Sequence, residues 1–260
     1  MRVVILAGGL GTRISEESHL KPKPMIEIGG QPILWHIMKY YSHFGFNDFI
    51  ICCGYRGYVI KEYFADYYLH RSDVTFDFKS RGDMVVHKNV AEPWKVTLVD
   101  TGLNTQTGGR LKMIGSYLER ESFMLTYGDG VSTVDLNALL RRHRSGGKKA
   151  TVTAVQPEGR FGIITFSADG ERVEGFKEKP KETSGWINGG FMVLEPSVLD
   201  YIKSDMDSLE DSVLYPLAEE NSLEAYKHHG FWQCMDTQRD KTHLDALWER
   251  REAPWKVWDD

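Results

Sequence analysis

Cysteine is scarce in this chain: three in 260 residues, Cys52, Cys53 and Cys234. An odd count without a spacing framework excludes a disulfide-stapled scaffold and suits a reducing, cytoplasmic setting. Cys52 and Cys53 sit in an apolar run and read as inert core residues. Long apolar runs are missing too; none approaches the roughly 20 residues of a membrane span, which argues against a membrane partner. There is no excess of basic residues, since 32 Lys and Arg face 37 Asp and Glu, a net charge of −5. An overall basic field for nucleic acid is therefore absent. Met1-Arg2 leads straight into a strand-like run, so the chain reads without a signal peptide. No Ser-His-Asp arrangement can be argued from spacing. His228 and His229 are adjacent and His36 and His43 are seven apart, so these histidines read as structural or exposed.

What is present is an ordinary globular composition, 41% apolar and 27% charged, in a length that suits one large α/β domain. The most informative stretch is the first. Val3-Val4-Ile5-Leu6-Ala7 is a short, β-branched run that reads as a strand buried on both faces. Gly8, Gly9 and Gly11 follow at once and let the backbone turn sharply and approach a ligand closely. Successive N–H groups in such a turn form an anion-binding concavity. Thr12 and Arg13 follow, and Arg13 adds a positive fork suited to phosphate oxygens. Lys21-Pro22-Lys23-Pro24 then presents two lysines on a stiffened backbone. Together these read as a cradle for a nucleoside triphosphate, with one lysine aimed at its phosphates. The plainer alternative is a tight turn with no ligand. A P-loop is excluded because Arg13 stands sixth from Gly8, and a dinucleotide fingerprint because Ile14 stands sixth from Gly9.

Downstream, the pattern alternates. A helix is predicted over Pro32–Phe44, a strand over Phe49–Cys53, a helix over Gly57–Tyr68 and a strand over Val96–Asp100. This rhythm implies right-handed crossovers and a mainly parallel sheet, with ligands at the carboxyl ends of the strands. Leu69–Pro93 breaks the rhythm and reads as strands or an extended excursion outside the sheet. Gly108 and Gly109 permit close ligand approach at a helix start. Phe123–Tyr127 is another buried strand running into Gly128-Asp129-Gly130. An acid between two glycines at a strand end can hold a cation beside a phosphate, or it can be ordinary turn chemistry. After Asp135–Arg144 (helix) and Ala150–Val155 (strand), two strands around Ala168-Asp169-Gly170 read as a hairpin. Gly190–Leu194 reads as one more strand, with helices at Pro196–Ile202, Asp211–Glu219 and Gln238–Arg250. Asp236 precedes the last helix and could simply cap it. Trp255 and Trp258 lie in a tail that reads as docked on the body or a neighbour.

Gly9-Leu10-Gly11-Thr12-Arg13 and Lys21-Pro22-Lys23-Pro24-Met25 resemble the signature of the sugar-1-phosphate nucleotidyltransferases, and the similarity runs to about Trp248. The resemblance implies the GT-A-like nucleotidyltransferase fold: a Rossmann-like, mixed but mainly parallel central sheet with helices on both faces. A sugar-binding subregion with a β-hairpin completes it. One domain is implied over 1–260, with a nucleotide half at about 1–155, a sugar-phosphate half at about 156–240 and a C-terminal helix and tail at 241–260. It also implies residue roles. Leu6, Ala7, Gly8, Gly9, Gly11, Thr12, Arg13, Lys23, Thr107, Arg110 and Gly128 would contact the nucleotide. Gly162, Glu178, Lys179 and Asn188 would contact the sugar phosphate. Asp129 and Asp236 would bind Mg2+, and these two with Arg13 and Lys23 would be catalytic. Arg110, and the run Gly230-Phe231-Trp232-Gln233 followed by Met235-Asp236-Thr237, resemble the members that use CTP and glucose 1-phosphate. Such enzymes are homo-oligomers, often hexamers, and feed dideoxy sugars for surface polysaccharide; segments near 69–93 contribute to their subunit contacts. Another nucleotide or sugar, or a non-catalytic nucleotide-sugar sensor, remains open. A nicotinamide oxidoreductase is disfavoured by the missing fingerprint.

Overall fold

The structure is a computed structural model that describes residues 1–9, 14, 21–79, 82–157, 163–166, 173–177 and 185–259. Its frame is a seven-stranded sheet built from β1 (Arg2–Ala7), β2 (Asp48–Cys53), β3 (Lys95–Asp100), β4 (Phe123–Tyr127), β5 (Ala150–Val155), β6 (Ile187–Leu194) and β7 (Leu223–His228). The spatial order is β7-β5-β6-β4-β1-β2-β3. Every neighbouring pair is parallel except the two made by β6, which runs against both β4 and β5. The mainly parallel sheet expected from the alternation is therefore present, with one reversed strand.

The apolar runs become strands because both faces are covered. Along β1, Val3, Ile5 and Ala7 join one buried cluster and Val4 and Leu6 join the other. Both clusters draw on helices. On the first face α1 (Ile33–His43) and α2 (Gly57–His70) contribute Ile33, Ile37 and Ile60, and α4 (Leu136–Gly146) contributes Leu139. The second receives Leu111 from α3 (Thr107–Met113) and Leu217 from α5 (Tyr215–Glu219). The last helix, α6 (Gln238–Glu249), returns Leu244 to the first face. Gly45 ends the first helical segment at φ +87°, where a side chain is disfavoured.

Two of the expected helices take another form, while the excursion, the second hairpin and the docked tail appear as expected. Pro196–Tyr201 is a 3-10 helix, and Glu210–Leu214 is a π-helical turn that leads into α5. The excursion at 69–93 is a two-stranded hairpin, Ser72–Asp77 against Asp83–Asn89, outside the central sheet. It exposes Phe76, Phe78, Met84 and Val85. The second hairpin pairs Ile163–Phe166 with Val173–Lys177. The tail docks on the body: Trp255 is fully buried, stacked on Phe231, and donates from its ring nitrogen to His36 Nδ1. Among the described residues, no helix is long and apolar enough to cross a membrane.

Strand order positions the site. β2, which follows β1 in the sheet, lies on one side of it and β4 on the other. The chain therefore leaves the ends of β1 and β4 in opposite directions, and a crevice opens at their carboxyl ends. The glycine turn after Ala7 and the Gly128-Asp129 step both lie there.

Candidate active site

Asp129 and Asp236 are 107 positions apart in sequence, and a backbone ladder brings them together. Gly130–Ser132 pairs antiparallel with Trp232–Cys234, Gly130 opposite Cys234. Met235 N then donates to Asp129 O at 2.8 Å. The plainer alternative, that Asp236 simply caps α6, is not what forms: Thr237 caps it, in a capping box with Asp240. Asp240 Oδ2 also accepts from Asp236 N at 3.1 Å, which holds the backbone and leaves the Asp236 carboxylate to face the crevice.

The sequence left two lysines as candidates, and the structure separates them. Lys21 pairs with Glu27 at an exposed position. Lys23 lies in a 3-10 turn, Lys23–Met25, whose Pro24 is buried against Gly128. A Cβ at Gly128 would come within 2.9 Å of Pro24 Cγ, so glycine permits that contact. The turn aims Lys23 Nζ between the acids, 2.6 Å from Asp129 Oδ2 and 2.6 Å from Asp236 Oδ1. Burial works against the ammonium charge, but the two carboxylates outweigh it and raise its pKa.

The donor set tests whether a metal ion fits. Two hard carboxylate oxygens converge on one point, at most about 5 Å apart (twice 2.6 Å), and that point already carries a cationic group. Among the described residues no cluster of three or more His, Cys, Asp or Glu side chains is placed to hold a metal. A two-carboxylate site suits magnesium, which commonly completes its shell with phosphate and water oxygens. Cys234 Sγ lies 3.5 Å from Asp236 Oδ2, but burial, with the two aspartates, pushes its thiol up to about 12, so it offers no thiolate.

Beside this cluster lies a cavity of about 320 Å3, lined by Leu6, Ala7, Gly8, Gly9, Lys23, Thr107, Arg110, Gly128, Asp129 and Asp236, with Pro24, Thr105, Gln106 and Tyr127. Ten sequence-predicted residues thus share one wall. Arg110 is 4% exposed and sits beneath the glycine turn. Its guanidinium donates to the carbonyls of Gly8, Cys53, Gly102 and Leu103 and to Thr101 Oγ1. It therefore ties the ends of β1, β2 and β3 together, while burial lowers its pKa. A Cβ at Gly8 would come within 2.2 Å of Arg110 Nη1, so the first glycine makes room for the guanidinium. Gly9 faces open space. Gly108 and Gly109 were expected to admit a ligand. They instead admit the backbone of 205–208, which a Cβ at Gly109 would meet at 2.3 Å.

A second cavity, about 400 Å3, adjoins the first and shares Tyr127, Asp129 and Asp236 with it. Asn188 lines it with Tyr127, Glu210, Trp232, Asp129 and Asp236. Gly11, Thr12, Arg13, Gly162, Glu178 and Lys179 lie outside the described residues. Sequence reading passed over Tyr127 and Glu210; the first is hidden in a strand pattern and the second in an acidic stretch without a motif.

This geometry fits the comparisons with known proteins. The model of the nucleotidyl transferase family matches residues 2–251. The chain is 57% identical, over the full length of both, to the glucose-1-phosphate cytidylyltransferase of Salmonella typhi. Its fold matches the HddC protein of Yersinia pseudotuberculosis at a TM-score of 0.68 and 23% identity, covering 95% of this chain and 99% of that one. It also matches the UDP-glucose pyrophosphorylase of Acinetobacter baumanii at 0.68 and 17%, covering 97% and 95%. A glycine turn and two converging acids at the switch point of such a sheet, together with a family match over nearly the whole chain, lead to one conclusion: this protein belongs to the nucleotidyl transferase family.

Proposed function

We propose that the protein transfers a cytidylyl group from CTP to glucose 1-phosphate, releasing pyrophosphate and forming CDP-glucose. The observation that carries this reading is the 57% identity over 260 residues to an enzyme of that name. The bond formed joins a sugar-phosphate oxygen to the α-phosphorus of CTP, and the bond broken releases pyrophosphate. Both reactants are anions, so the site must offset repulsion and align them. The phosphate nucleophile is already ionised near neutral pH, so no strong general base is required.

Each group has a task in this reading. The Gly8-Gly9 turn brings backbone N–H groups close to the triphosphate. Lys23, in the lining of the first cavity, and Arg13 neutralise charge growing on the phosphoryl oxygens. Arg110 and Thr107 shape the nucleotide wall, Arg110 by holding the strand ends in place. Asn188 faces the sugar phosphate from the second cavity, with Gly162, Glu178 and Lys179 assigned to the same substrate. Enzymes of this family generally use a divalent metal; Asp129 and Asp236 would hold it as Mg2+, and it would supply Lewis-acid polarisation of the phosphates. Alignment supplies much of the rate, since well-oriented reactants reach effective molarities of about 10⁵ M or more.

A pyrophosphate-release assay with CTP, UTP, dTTP, ATP and GTP against glucose 1-phosphate tests the reading; CTP is expected to give the highest kcat/KM. Asp129→Asn and Asp236→Asn are each expected to fold and to lose most turnover. Near-normal rates in both at saturating magnesium would remove the metal role. We further assign the exposed hairpin at 72–89 to contacts between copies of the chain in a homo-oligomer, a hexamer by likeness to the family. Sedimentation of Phe76→Lys, Phe78→Lys against the native protein tests this.

A further inference from the structure

We infer that Glu210 selects the sugar by accepting a hydrogen bond from one of its hydroxyl groups. The inference rests on the reading above, in which a sugar phosphate is the second substrate. The nucleotide cavity and the second cavity share Tyr127, Asp129 and Asp236. If CTP fills the cavity at the glycine turn, the space left at the shared acids for the attacking sugar phosphate is the second cavity.

The charges there are sorted. The described residues lining that cavity include Asp129, Glu210 and Asp236 and no Lys or Arg. Lys23 reaches the cluster from the nucleotide side. To react at the α-phosphorus a sugar phosphate must bring its phosphate to the acids and Lys23, where the two cavities meet, which leaves its ring in the rest of the second cavity, whose lining includes Glu210. The part of the molecule left for Glu210 is the hydroxyl-bearing ring. An ionised carboxylate only accepts, and hydroxyls are the donors a sugar offers.

Glu210 is held in place for such a contact. Tyr127 OH donates to its Oε1, and Thr107 Oγ1 donates to its Oε2 at 3.1 Å. Thr107 is fixed in turn by accepting from Leu209 N at 2.8 Å. Tyr127 is seated against β6, where a Cβ at Gly190 would meet its ring at 2.7 Å. A carboxylate has about four acceptor sites, and these two bonds use two. The remaining sites are available at the cavity wall. Glu210 is also the first residue of a π-helical turn, a local departure that is often found at functional positions.

The test is steady-state kinetics of the native enzyme and Glu210→Gln with CTP. The sugar substrates are glucose 1-phosphate and its 2-, 3-, 4- and 6-deoxy analogues. Glutamine keeps the size and removes the charge and one acceptor. With glucose 1-phosphate, kcat/KM is expected to fall about tenfold or more in the variant. With one deoxy analogue the native enzyme should lose a similar factor, and the variant should lose almost nothing further. Any general disturbance through Thr107 or Tyr127 lowers all five rates by the same factor. A native-to-variant ratio that is equal for all five sugars would therefore overturn the assignment. Glu210→Asp, which keeps the charge but shortens the reach, should restore part of the discrimination if the carboxylate is responsible. Absence of turnover by the native enzyme with CTP and glucose 1-phosphate would sink the underlying reading, and this inference with it.

Discussion

Replacing Lys23 by methionine removes one ammonium group from between two carboxylates and leaves a side chain of similar length. Each acid now sits 2.6 Å from Nζ, and the side chains of Lys23, Asp129 and Asp236 are only 12%, 29% and 22% exposed. Without the ammonium the two oxygens face each other across about 5 Å at most, twice 2.6 Å. Coulomb repulsion at that distance is about 1 kcal/mol in a water-like medium and about 3 kcal/mol at an effective dielectric constant of about 20. Partial exposure places the site between these limits, so a loss of about 2 kcal/mol is expected. For 260 residues the unfolding entropy is on the order of 0.5 kcal/mol/K, which makes the drop in Tm about 4 °C. Calorimetric melts in EDTA measure it. Magnesium should raise the Tm of Lys23→Met more than that of the native protein, because the ion no longer competes with an ammonium for the same oxygens. In turnover, the transition-state role proposed for Lys23 predicts a fall in kcat. Equal melts in EDTA together with equal magnesium responses would refute the argument that Lys23 holds the acids.

Other perturbations test other parts of the molecule. Gly8→Ala puts a methyl group 2.2 Å from Arg110 Nη1; displacing the guanidinium should destabilise the fold by about 1–3 kcal/mol and weaken CTP binding, read by melts and titration calorimetry. A native-like Tm and Kd would mean that the strand ends do not depend on this contact. Burial lowers the pKa of His36 from the usual 6.5 to about 4. Between those values the unfolded chain binds a proton that the folded one does not, so stability is full above pH 6.5 and falls as the pH drops, by about 3 kcal/mol at pH 4. His36→Asn should flatten that part of the stability–pH curve, measured by urea unfolding. Trp255→Ala empties a fully buried site in the first core cluster and should cost about 3–5 kcal/mol in the same assay.

The sequence by itself determined the strands and their buried character, because short β-branched runs ended by glycine have few other uses. It also marked the residues from Leu6 to Gly128 that line the first cavity, since backbone turns of that kind are written locally. Lys21 and Lys23 could not be told apart by pattern. Only the packing of Pro24 on Gly128 aims the second at the acids. Arg110 was legible as a special residue, yet that its guanidinium would serve four carbonyls and a hydroxyl under the glycine turn depends on β1, β2 and β3 ending side by side. Glycines at 108 and 109 announce close approach without saying what approaches, and the partner is the chain itself. Glu210 left no trace in the sequence, because its meaning lies in reaching Tyr127 and Thr107 across 83 and 103 positions. Local chemistry is encoded where neighbours in sequence make it. The meeting of Asp129 with Asp236 is a long-range event, and the tertiary ladder that pairs Gly130 with Cys234 decides it.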